Sequence, residues 1–474
     1  MSTGLTRTLG GFQLFAVSFA FISVAVGVFG TYGDVLSSSG PVGIWLWVVV
    51  AVGQTLVALV VAQFAARIAL SGSSYQWASR LATPRVGWFF GWLGFWFLAI
   101  AVVAVDNALV TQAITPLFGL PDDESTGRVL TLAVLVVQAA LVIASTRLLG
   151  LVSSTAVVAE LAIVAVLVVA LVVAMLVSGS AHPENLVSQG SAAGDPAYFA
   201  LGGGLMAGAL MGLTTLVGFD SAANLAEEAR EPFRAVPRAI VLSVVAAGVA
   251  GLVFVVVLTL SIDDLDAVTR DASPVAAIIR EQLGPVWERL LLAVIAFAMF
   301  GAGTVTMAAC ARQVFAMARD GRFPAARLMS RVNPRTRTPI AATVLIVVVG
   351  AVLMLALPGA ALLQLIVGST ILPALLYGGT IVLYLAVRRR LDRREGGFAL
   401  GRLEVPVAVA ALVWVVVALV VLVTPPDALV PALIVGGIVV VGGVYFTVKV
   451  LTNPSVFDHE EEAGTALAPK RAES

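Results

Sequence analysis

Two stretches of the sequence combine glycines with groups that could bind a charged solute. Residues 23–30 read Ser-Val-Ala-Val-Gly-Val-Phe-Gly, and residues 212–221 read Gly-Leu-Thr-Thr-Leu-Val-Gly-Phe-Asp-Ser. Glycine weakens a helix interior by about 1 kcal/mol relative to alanine. Where a helix breaks, free N–H groups of one half attract a carboxylate, and free carbonyls of the other attract an ammonium. Two such breaks side by side would suit a zwitterion, whereas close helix packing is the alternative for each stretch alone.

Three carboxylic acids lie within long apolar runs: Asp106, Glu160 and Asp220. A charge at the centre of a membrane helix costs about 2.5–3.5 kcal/mol on insertion scales. Each acid therefore needs a partner, a hydrated cavity or a proton. We expect Asp106 to bind a cationic group of a bound solute, and Glu160 and Asp220 to bind and release a proton. The alternatives are a solvated acid for Asp106, a packing acid for Glu160 and a helix cap for Asp220.

The composition indicates that membrane helices position these groups. The 474 residues are 60% hydrophobic and 12% charged, with a mean hydropathy of +1.03, and a bilayer-spanning helix needs about 20 mostly apolar residues. A soluble enzyme and a disordered chain are excluded. So is a nucleic-acid-binding protein, because 28 basic residues balance 28 acidic ones and leave no net field for a polyanion. One cysteine, Cys310, and two histidines in polar segments, His182 and His459, indicate no disulfide framework, metal site or cofactor.

Apolar runs bounded by charges, glycine, proline and aspartate predict twelve membrane spans. All but four of the 28 Lys and Arg residues fall on one side of these spans. The positive-inside rule therefore places both termini in the cytoplasm of a multi-pass protein of the inner (cytoplasmic) membrane. The predicted spans are residues 12–35, 41–67, 87–115, 128–147, 151–178, 198–229, 237–262, 286–318, 339–357, 361–387, 403–424 and 429–450.

The two glycine-rich stretches occupy the first and sixth of these spans, which are corresponding members of two five-helix halves. Interrupted helices at matching positions of inverted repeats are the best sequence pointer to a transporter's central site. We therefore expect a binding site at mid-membrane, between the two breaks.

Three groups of segments have the form of family signatures. They are Ser-Gly-Ser-Ser-Tyr at 71–75 with Gly-Trp-Phe-Phe-Gly-Trp at 87–92; Gly-Phe-Asp at 218–220 with Glu-Glu-Ala-Arg-Glu-Pro at 227–232 and Val-Pro-Arg at 236–238; and Ala-Arg-Gln-Val-Phe-Ala-Met-Ala-Arg-Asp-Gly at 311–321 with residues 333–339. In these segments the chain resembles the amino acid–polyamine–organocation (APC) superfamily of secondary transporters. Gly-Pro-Val-Gly at 40–43, together with Asp106, resembles the amino acid/choline/γ-aminobutyrate permease branch.

The resemblance implies an all-α polytopic membrane protein with twelve transmembrane helices. Ten of them form a 5+5 inverted repeat, the leucine-transporter-type fold, in which helices 1 and 6 are broken, and two are peripheral. The implied domains are a cytoplasmic N-terminus at 1–11, a first repeat at 12–178, a second repeat at 198–387, peripheral helices at 403–450 and a cytoplasmic tail at 451–474.

The resemblance also implies roles for individual residues. The backbone of the first break would bind the substrate carboxylate, carbonyls of the second break would bind the amine, and Phe219 would close over the substrate as an aromatic gate. Apart from the resemblance, the charges of Glu227, Glu228 and Arg312 lie near the predicted cytoplasmic face, where we expect them to form a gate of ion pairs, with a solvated helix end as the alternative. The implied substrate-binding residues are Ser23, Val24, Ala25, Val26 and Gly27 in the first break and Thr215, Leu216, Val217, Gly218 and Phe219 in the second.

These observations favour a secondary active transporter of amino acids or related small amines that works by alternating access, with proton coupling or exchange. Sodium coupling is disfavoured, because Ala308 and Ala309 follow Thr304 and Thr306 where related sequences often carry hydroxyl groups, which are hard cation ligands. The alternatives are a transporter of choline, polyamine or another organic cation, and a channel or sensor on the same helices. An enzyme is not expected, since the sequence has no His-Glu-x-x-His motif. The expected partners are the small-molecule substrate and the lipid bilayer, without nucleic acid.

Overall fold

The computed structural model describes residues 9–68, 73–121, 123–144, 146–271, 273–336, 338–357, 359–391, 397–425 and 428–457. This part of the chain is predominantly helical, because backbone groups in lipid must bond within their own segment. The α-helices are α1 (Gly11–Ile22), α2 (Val24–Ser38), α3 (Leu46–Arg67), α4 (Ser73–Leu81), α5 (Pro84–Ala108), α6 (Thr115–Phe118), α7 (Glu124–Ala144), α8 (Thr146–Ser178), α9 (Gly204–Thr215), α10 (Pro232–Leu260), α11 (Leu265–Arg270), α12 (Pro274–Leu283), α13 (Pro285–Arg319), α14 (Ala326–Met329), α15 (Ile340–Ala356), α16 (Gly359–Val387), α17 (Glu404–Val423) and α18 (Leu429–Thr452). Turns of 3₁₀ helix lie at Pro41–Trp45, Pro183–Val187, Gly190–Ala192, Phe219–Glu228, Gly401–Leu403 and Pro454–Phe457, and a π-helical turn at Leu109–Ile114 joins α5 to α6.

Several long helices start where the sequence supplies a helix-starting residue. Pro84, Pro232 and Pro285 occupy the first positions of α5, α10 and α13, where the N–H that proline lacks would have no helical partner anyway. The hydroxyl of Thr83 caps α5 by accepting from the Val86 N–H at 3.2 Å. These starts fix which residues of each helix reach mid-membrane.

The structure confirms a multi-pass, all-helical membrane protein but not the predicted count of twelve spans. Eleven helical segments of the described residues are long and apolar enough to cross a bilayer. The predicted ninth span, residues 339–357, is the apolar helix α15 of 17 residues, which rises about 25 Å at 1.5 Å per residue, less than the hydrocarbon core of about 30 Å. The predicted sixth span, residues 198–229, begins as a helix only at Gly204, because Gly202 has a left-handed φ of +77°.

Both predicted interruptions are present. The first span is divided into α1 and α2 at Ser23, and the sixth is divided into α9 and the 3₁₀ helix Phe219–Glu228. Ser18 joins α1 to the 3₁₀ helix Phe219–Glu228. Its hydroxyl donates to the Phe219 carbonyl at 2.8 Å and accepts from the Ala222 N–H at 3.0 Å. The other halves of the two broken spans, α2 and α9, pack on each other.

The remaining long helices surround these broken segments. Helix α3 packs along α10, α5 along α13, and α7 along α15, whereas α8 packs against α13 and α16 against α5. Helices α17 and α18 lie outside this group, against α3, α5 and α16. Their outward faces expose valines such as Val413, Val416 and Val440, which is the surface expected to meet lipid tails.

A buried ion pair fixes the outer helix α17 to the rest of the bundle. Arg67 of α3 lies 3.1 Å from Glu404, and both side chains are about 5% exposed or less. Tyr384 of α16 donates to the same carboxylate at 2.9 Å, and the Arg67 guanidinium lies over its ring. Three helices therefore meet at one charged contact, whose partners are costly to separate.

On the opposite side of the bundle, a histidine links two loops. The ring of His182 lies 2.8 Å from a carboxylate oxygen of Glu184 and 3.1 Å from one of Asp263. The hydrogen bond to Glu184 and the negative charges of Glu184 and Asp263 raise the pKa of the imidazole, although partial burial opposes them. Protonation of His182 therefore strengthens this loop contact.

Candidate substrate site

The first break exposes the N-terminal end of α2 at the centre of the molecule. Ser23 has a left-handed φ of +46°, a conformation that costs a non-glycine residue about 1–3 kcal/mol. The first hydrogen bond within α2 runs from the Gly27 N–H to the Ser23 carbonyl, at 2.9 Å. The N–H groups of Val24, Ala25 and Val26 therefore have no acceptor within the helix, and they carry its positive dipole end.

The second break exposes the C-terminal end of α9. Helix α9 ends at Thr215, and Gly218 has a left-handed φ of +83°, which glycine adopts without steric cost. The Gly218 N–H donates to the Tyr377 hydroxyl at 3.0 Å, and this hydroxyl donates to Asp220 at 3.0 Å. The last carbonyls of α9 point out of the helix and carry its negative dipole end.

The two breaks approach each other through Gly27. A Cβ atom added to Gly27 would lie 2.2 Å from the hydroxyl oxygen of Thr215, a distance that real Cβ contacts do not reach. Gly27 itself remains helical, so its function here is close approach rather than flexibility. The positive end of α2 and the negative end of α9 consequently lie next to each other.

A central cavity of about 130 Å³ lies between the two breaks, α5, α13 and α16. An apolar cavity of roughly 150 Å³ holds a benzene molecule, so this one accepts a solute of about six non-hydrogen atoms. Hydroxyl groups are its main polar side chains, and no charged side chain of the described residues lines it. The hydroxyl-bearing residues are Ser23, Thr31, Thr214, Thr215, Thr306, Ser369 and Thr370.

Glu160 of α8 binds the first break directly. One oxygen of its carboxylate accepts from the Ser23 hydroxyl and from the Ala25 N–H, each at 3.0 Å, and the side chain is 4% exposed. Glu160 also lines a crevice of about 20 Å³, which has room for about one water molecule. This crevice shares Phe21, Ala302 and Thr306 with the central cavity.

A wider cleft of about 570 Å³ extends from the second break to the exposed Arg312 and Arg319. Phe21 lines this cleft, the central cavity and the Glu160 crevice. Its ring packs against Gly218, where an added Cβ would lie 2.2 Å from Phe21 Cδ1. Phe97 of α5 also lines both the cleft and the central cavity. Phe21 and Phe97 therefore separate the cavity from the cleft.

The residues predicted for substrate binding divide into two groups. Most of those in the two breaks line the central cavity with side chain or backbone: Ser23, Val26, Gly27, Thr215 and Val217. Val24, Ala25 and Leu216 lie beside them in the chain but are not part of the lining. Asp106 is fully buried and lies outside the lining, because its side chain points from α5 toward α7, where it bonds to Gln138.

The predicted gate and coupling residues are also dispersed. Phe219 is fully buried, stacks on Tyr377 with ring centroids 4.7 Å apart, and lines neither the cavity nor the cleft. Asp220 and Arg312 line the cleft. The side chains of Glu227 and Glu228 lie outside the described residues, so the predicted ion-pair gate stays a prediction.

The sequence reading missed three aromatic residues and a hydroxyl pair of the site: Phe21, Phe97, Tyr377, Ser369 and Thr370. Two adjacent hydroxyl residues shortly before Pro373, inside an apolar run, were a usable signal for the last two. No such signal marks Phe21, since a phenylalanine in an apolar helix is unremarkable in sequence.

Comparison with known proteins identifies the family. The family model described as "Amino acid permease" matches residues 9–448. An uncharacterised amino-acid permease of Schizosaccharomyces pombe is 24% identical over 86% of this chain and 75% of its own length. The amino-acid permease BAT1 of Arabidopsis thaliana is 24% identical over 87% and 84%, and the GABA-specific permease of Saccharomyces cerevisiae is 24% identical over 74% and 63%. The chain belongs to the amino acid permease family of the APC superfamily, and it is a multi-pass membrane transporter of amino acids or related amines.

Proposed function

We propose that the central cavity binds a small amino acid as a zwitterion, with its carboxylate at the start of α2 and its amine at the end of α9. The observation that carries this proposal is the adjacency of two opposite helix ends at Gly27 and Thr215, beside a cavity that no charged side chain of the described residues lines. A charged group in such a cavity is stabilised by backbone dipoles. The hydroxyl groups supply further donors and acceptors.

Glu160 is the coupling residue in this proposal. Its carboxylate bonds to the Ala25 N–H, so it occupies the same positive helix end that the substrate carboxylate needs. Two unit negative charges about 4 Å apart repel by about 4 kcal/mol at an effective dielectric constant of 20, which corresponds to almost a thousandfold in affinity. The substrate carboxylate therefore binds well only when Glu160 carries a proton. The substrate and this proton then cross the membrane together, which is proton symport.

The crevice beside Glu160 supplies a path for that proton. It contacts both Glu160 and the central cavity through Thr306 and Ala302. One water molecule there would connect the carboxylate to the hydroxyl groups of the cavity. Asp220 remains a second candidate for proton transfer, since it faces the cleft and bonds to Tyr377.

The arrangement of the helices supports alternating access as the transport mechanism. Three pairs of helices that correspond in the two proposed five-helix halves pack directly on each other, α3 on α10, α5 on α13 and α7 on α15, which supports a two-fold relation between the halves about an axis in the membrane plane. The arginine-rich side faces the cytoplasm by the positive-inside rule. The cleft that reaches Arg312 and Arg319 is then the cytoplasmic pathway, and Phe21 is its inner gate together with or in place of Phe219.

One observation favours a second candidate substrate class, an organic cation without a carboxylate. In this structure Glu160 already neutralises the start of α2, which leaves only the carbonyl end of α9 to bind charge. A quaternary or primary amine would fit that state. The two candidates differ in one chemical group, the substrate carboxylate.

A ligand screen with a blocked variant distinguishes the candidates. Purified protein is titrated with small amino acids, γ-aminobutyrate, choline and polyamines, and thermal stability is measured, since a ligand at 100 times its Kd stabilises the folded state by about 2.7 kcal/mol. Gly27→Val fills the contact with Thr215 and should abolish both the stabilisation and the uptake, whereas Gly436→Val, in open space on α18, should change neither. Stabilisation by carboxylate-free cations alone would replace the amino acid proposal, and normal uptake by Gly27→Val would reject the site.

A further inference from the structure

Behind the wall of the central cavity, Asp106 and Gln138 form a polar pair in an otherwise apolar region. Both side chains are fully buried. Gln138 Nε2 donates to Asp106 Oδ1 at 2.8 Å and to the Phe300 carbonyl at 3.2 Å. Two other atoms of the pair, Asp106 Oδ2 and Gln138 Oε1, are buried without a hydrogen-bond partner among the described residues.

Helix α13 covers this pair closely. A Cβ atom added to Gly303 would lie 2.5 Å from Asp106 Oδ1 and 2.6 Å from Gln138 Nε2. Gly303 therefore allows α13 to pack closely against the pair as it is placed, and three helices, α5, α7 and α13, meet at it. No ion pair joins Asp106 to an Arg, Lys or His side chain in the part of the chain that the structure describes.

We propose that Asp106 and Gln138 form a buried proton-binding site, in which a proton on Asp106 Oδ2 is donated to Gln138 Oε1. A carboxylic acid and a primary amide are complementary, because each offers one donor beside one acceptor. A single proton therefore satisfies both unpartnered oxygens at once. An ionised Asp106 would instead leave two acceptors without a donor in a region that excludes water, the costly arrangement for buried polar groups.

This site differs in its task from Glu160. Glu160 lines a crevice that opens to the central cavity, so its proton can exchange as the substrate binds. Asp106 lines neither the cavity nor the crevice and lies under α13, so its proton stays bound through the transport cycle. The neutral pair holds α5, α7 and α13 together beside the cavity, and Asp106 is a positioning residue. This inference does not depend on the identity of the substrate or on the role of Glu160.

The test replaces Asp106 by residues that do or do not imitate a protonated acid. In Asp106→Asn, the amide accepts from Gln138 Nε2 and donates to Gln138 Oε1, so we expect melting temperature, uptake and pH profile within about twofold of the parent protein. In Asp106→Leu the side chain has a similar size but no hydrogen-bond donor or acceptor. Gln138 Nε2 and Oε1 then both lose their hydrogen bonds to residue 106. We expect Asp106→Leu to lower the melting temperature clearly.

Infrared spectroscopy of the reconstituted protein gives a readout that a purely structural role would not move. A carbonyl band of a protonated carboxyl group should persist at alkaline pH and disappear in Asp106→Asn, whereas Glu160→Gln should leave this band unchanged. Three results would overturn the proposal: loss of uptake in Asp106→Asn, absence of such a band, or stabilisation by sodium that Asp106→Asn abolishes. The last would assign a metal cation rather than a proton to the pair.

Discussion

Replacing Glu160 by glutamine tests the coupling mechanism most directly, because the change removes the charge and keeps the shape. The amide oxygen of the variant can still accept from the Ser23 hydroxyl and the Ala25 N–H, both 3.0 Å from the native carboxylate oxygen. Bonds to a charged group are worth about 1.5–3 kcal/mol and neutral ones about 0.5–1.5 kcal/mol. The difference is about 1–1.5 kcal/mol for each of the two bonds, so we expect a loss of about 2–3 kcal/mol in stability and a folded, membrane-inserted protein.

The expected effect on transport is much larger than the effect on stability. A proton that moves down a gradient of about one pH unit releases about 1.4 kcal/mol, which supports about tenfold accumulation of a co-transported solute. A variant that cannot bind the coupling proton should equilibrate its substrate without accumulating it. Exchange of labelled for unlabelled substrate should continue, because the cavity itself is unchanged.

The assay uses proteoliposomes loaded at one pH and diluted into buffer one unit more acidic, with substrate uptake followed to its plateau. The plateau ratio with and without the gradient should be about ten for the parent protein and about one for Glu160→Gln. Asp106→Asn is the matched control, since it makes the same acid-to-amide change at another buried residue outside the cavity and should retain the ratio. An unchanged ratio in Glu160→Gln would refute the role of Glu160 in coupling.

Three further predictions use other contacts. Phe21→Ala should weaken apparent substrate affinity with little loss of stability, whereas Phe219→Ala truncates a buried aromatic side chain and should lower stability by about 3–5 kcal/mol. Ligand titration and thermal unfolding of both variants test this prediction. The reverse pattern would restore Phe219 as the sole gate. Arg67→Ala should destabilise by less than the about 3–5 kcal/mol of a fully unpaired buried charge, because it removes the guanidinium 3.1 Å from Glu404 and leaves Arg388 at 3.7 Å as the remaining cation. The exposed Arg389→Ala should have no effect on the same unfolding curve, and equal curves would contradict the packing role of the pair. His182→Gln should lower the melting temperature only at acidic pH: a raised pKa means that the native histidine stabilises below its unfolded pKa of about 6.5 and loses this contribution as pH rises through its folded pKa. A pH-independent difference would reject the loop contact as its cause.

The sequence predicted where the helices break but not how. Glycines in the first span indicated an interruption, yet the chain turns at Ser23, and Gly27 stays helical. A glycine in a membrane helix signals either flexibility or close approach, and only the position of Thr215, far away in the chain, decides between them. A left-handed serine has no sequence signature.

The orientation of Asp106 was beyond sequence reasoning for a related physical reason. Its neighbours Ala104, Val105 and Ala108 line the cavity, while the acid lies on another face of α5. When a helix is apolar on all sides, its sequence has no polar face, so it does not indicate which residues face the cavity. The partner of Glu160 was hidden in the same way, because 137 residues separate it from Ser23.

The Ser18 hydroxyl limits which motions can open the cleft. Tilting α1 alone would break its two hydrogen bonds to the segment after Gly218, at about 0.5–1.5 kcal/mol each, and would also break the bond from the Arg230 N–H to the Leu9 carbonyl. Tilting both segments as one body breaks none of them. Ser23 and Gly218, the left-handed residues at the two breaks, then have to change their backbone angles together, because α1 and the segment after Gly218 move as one body.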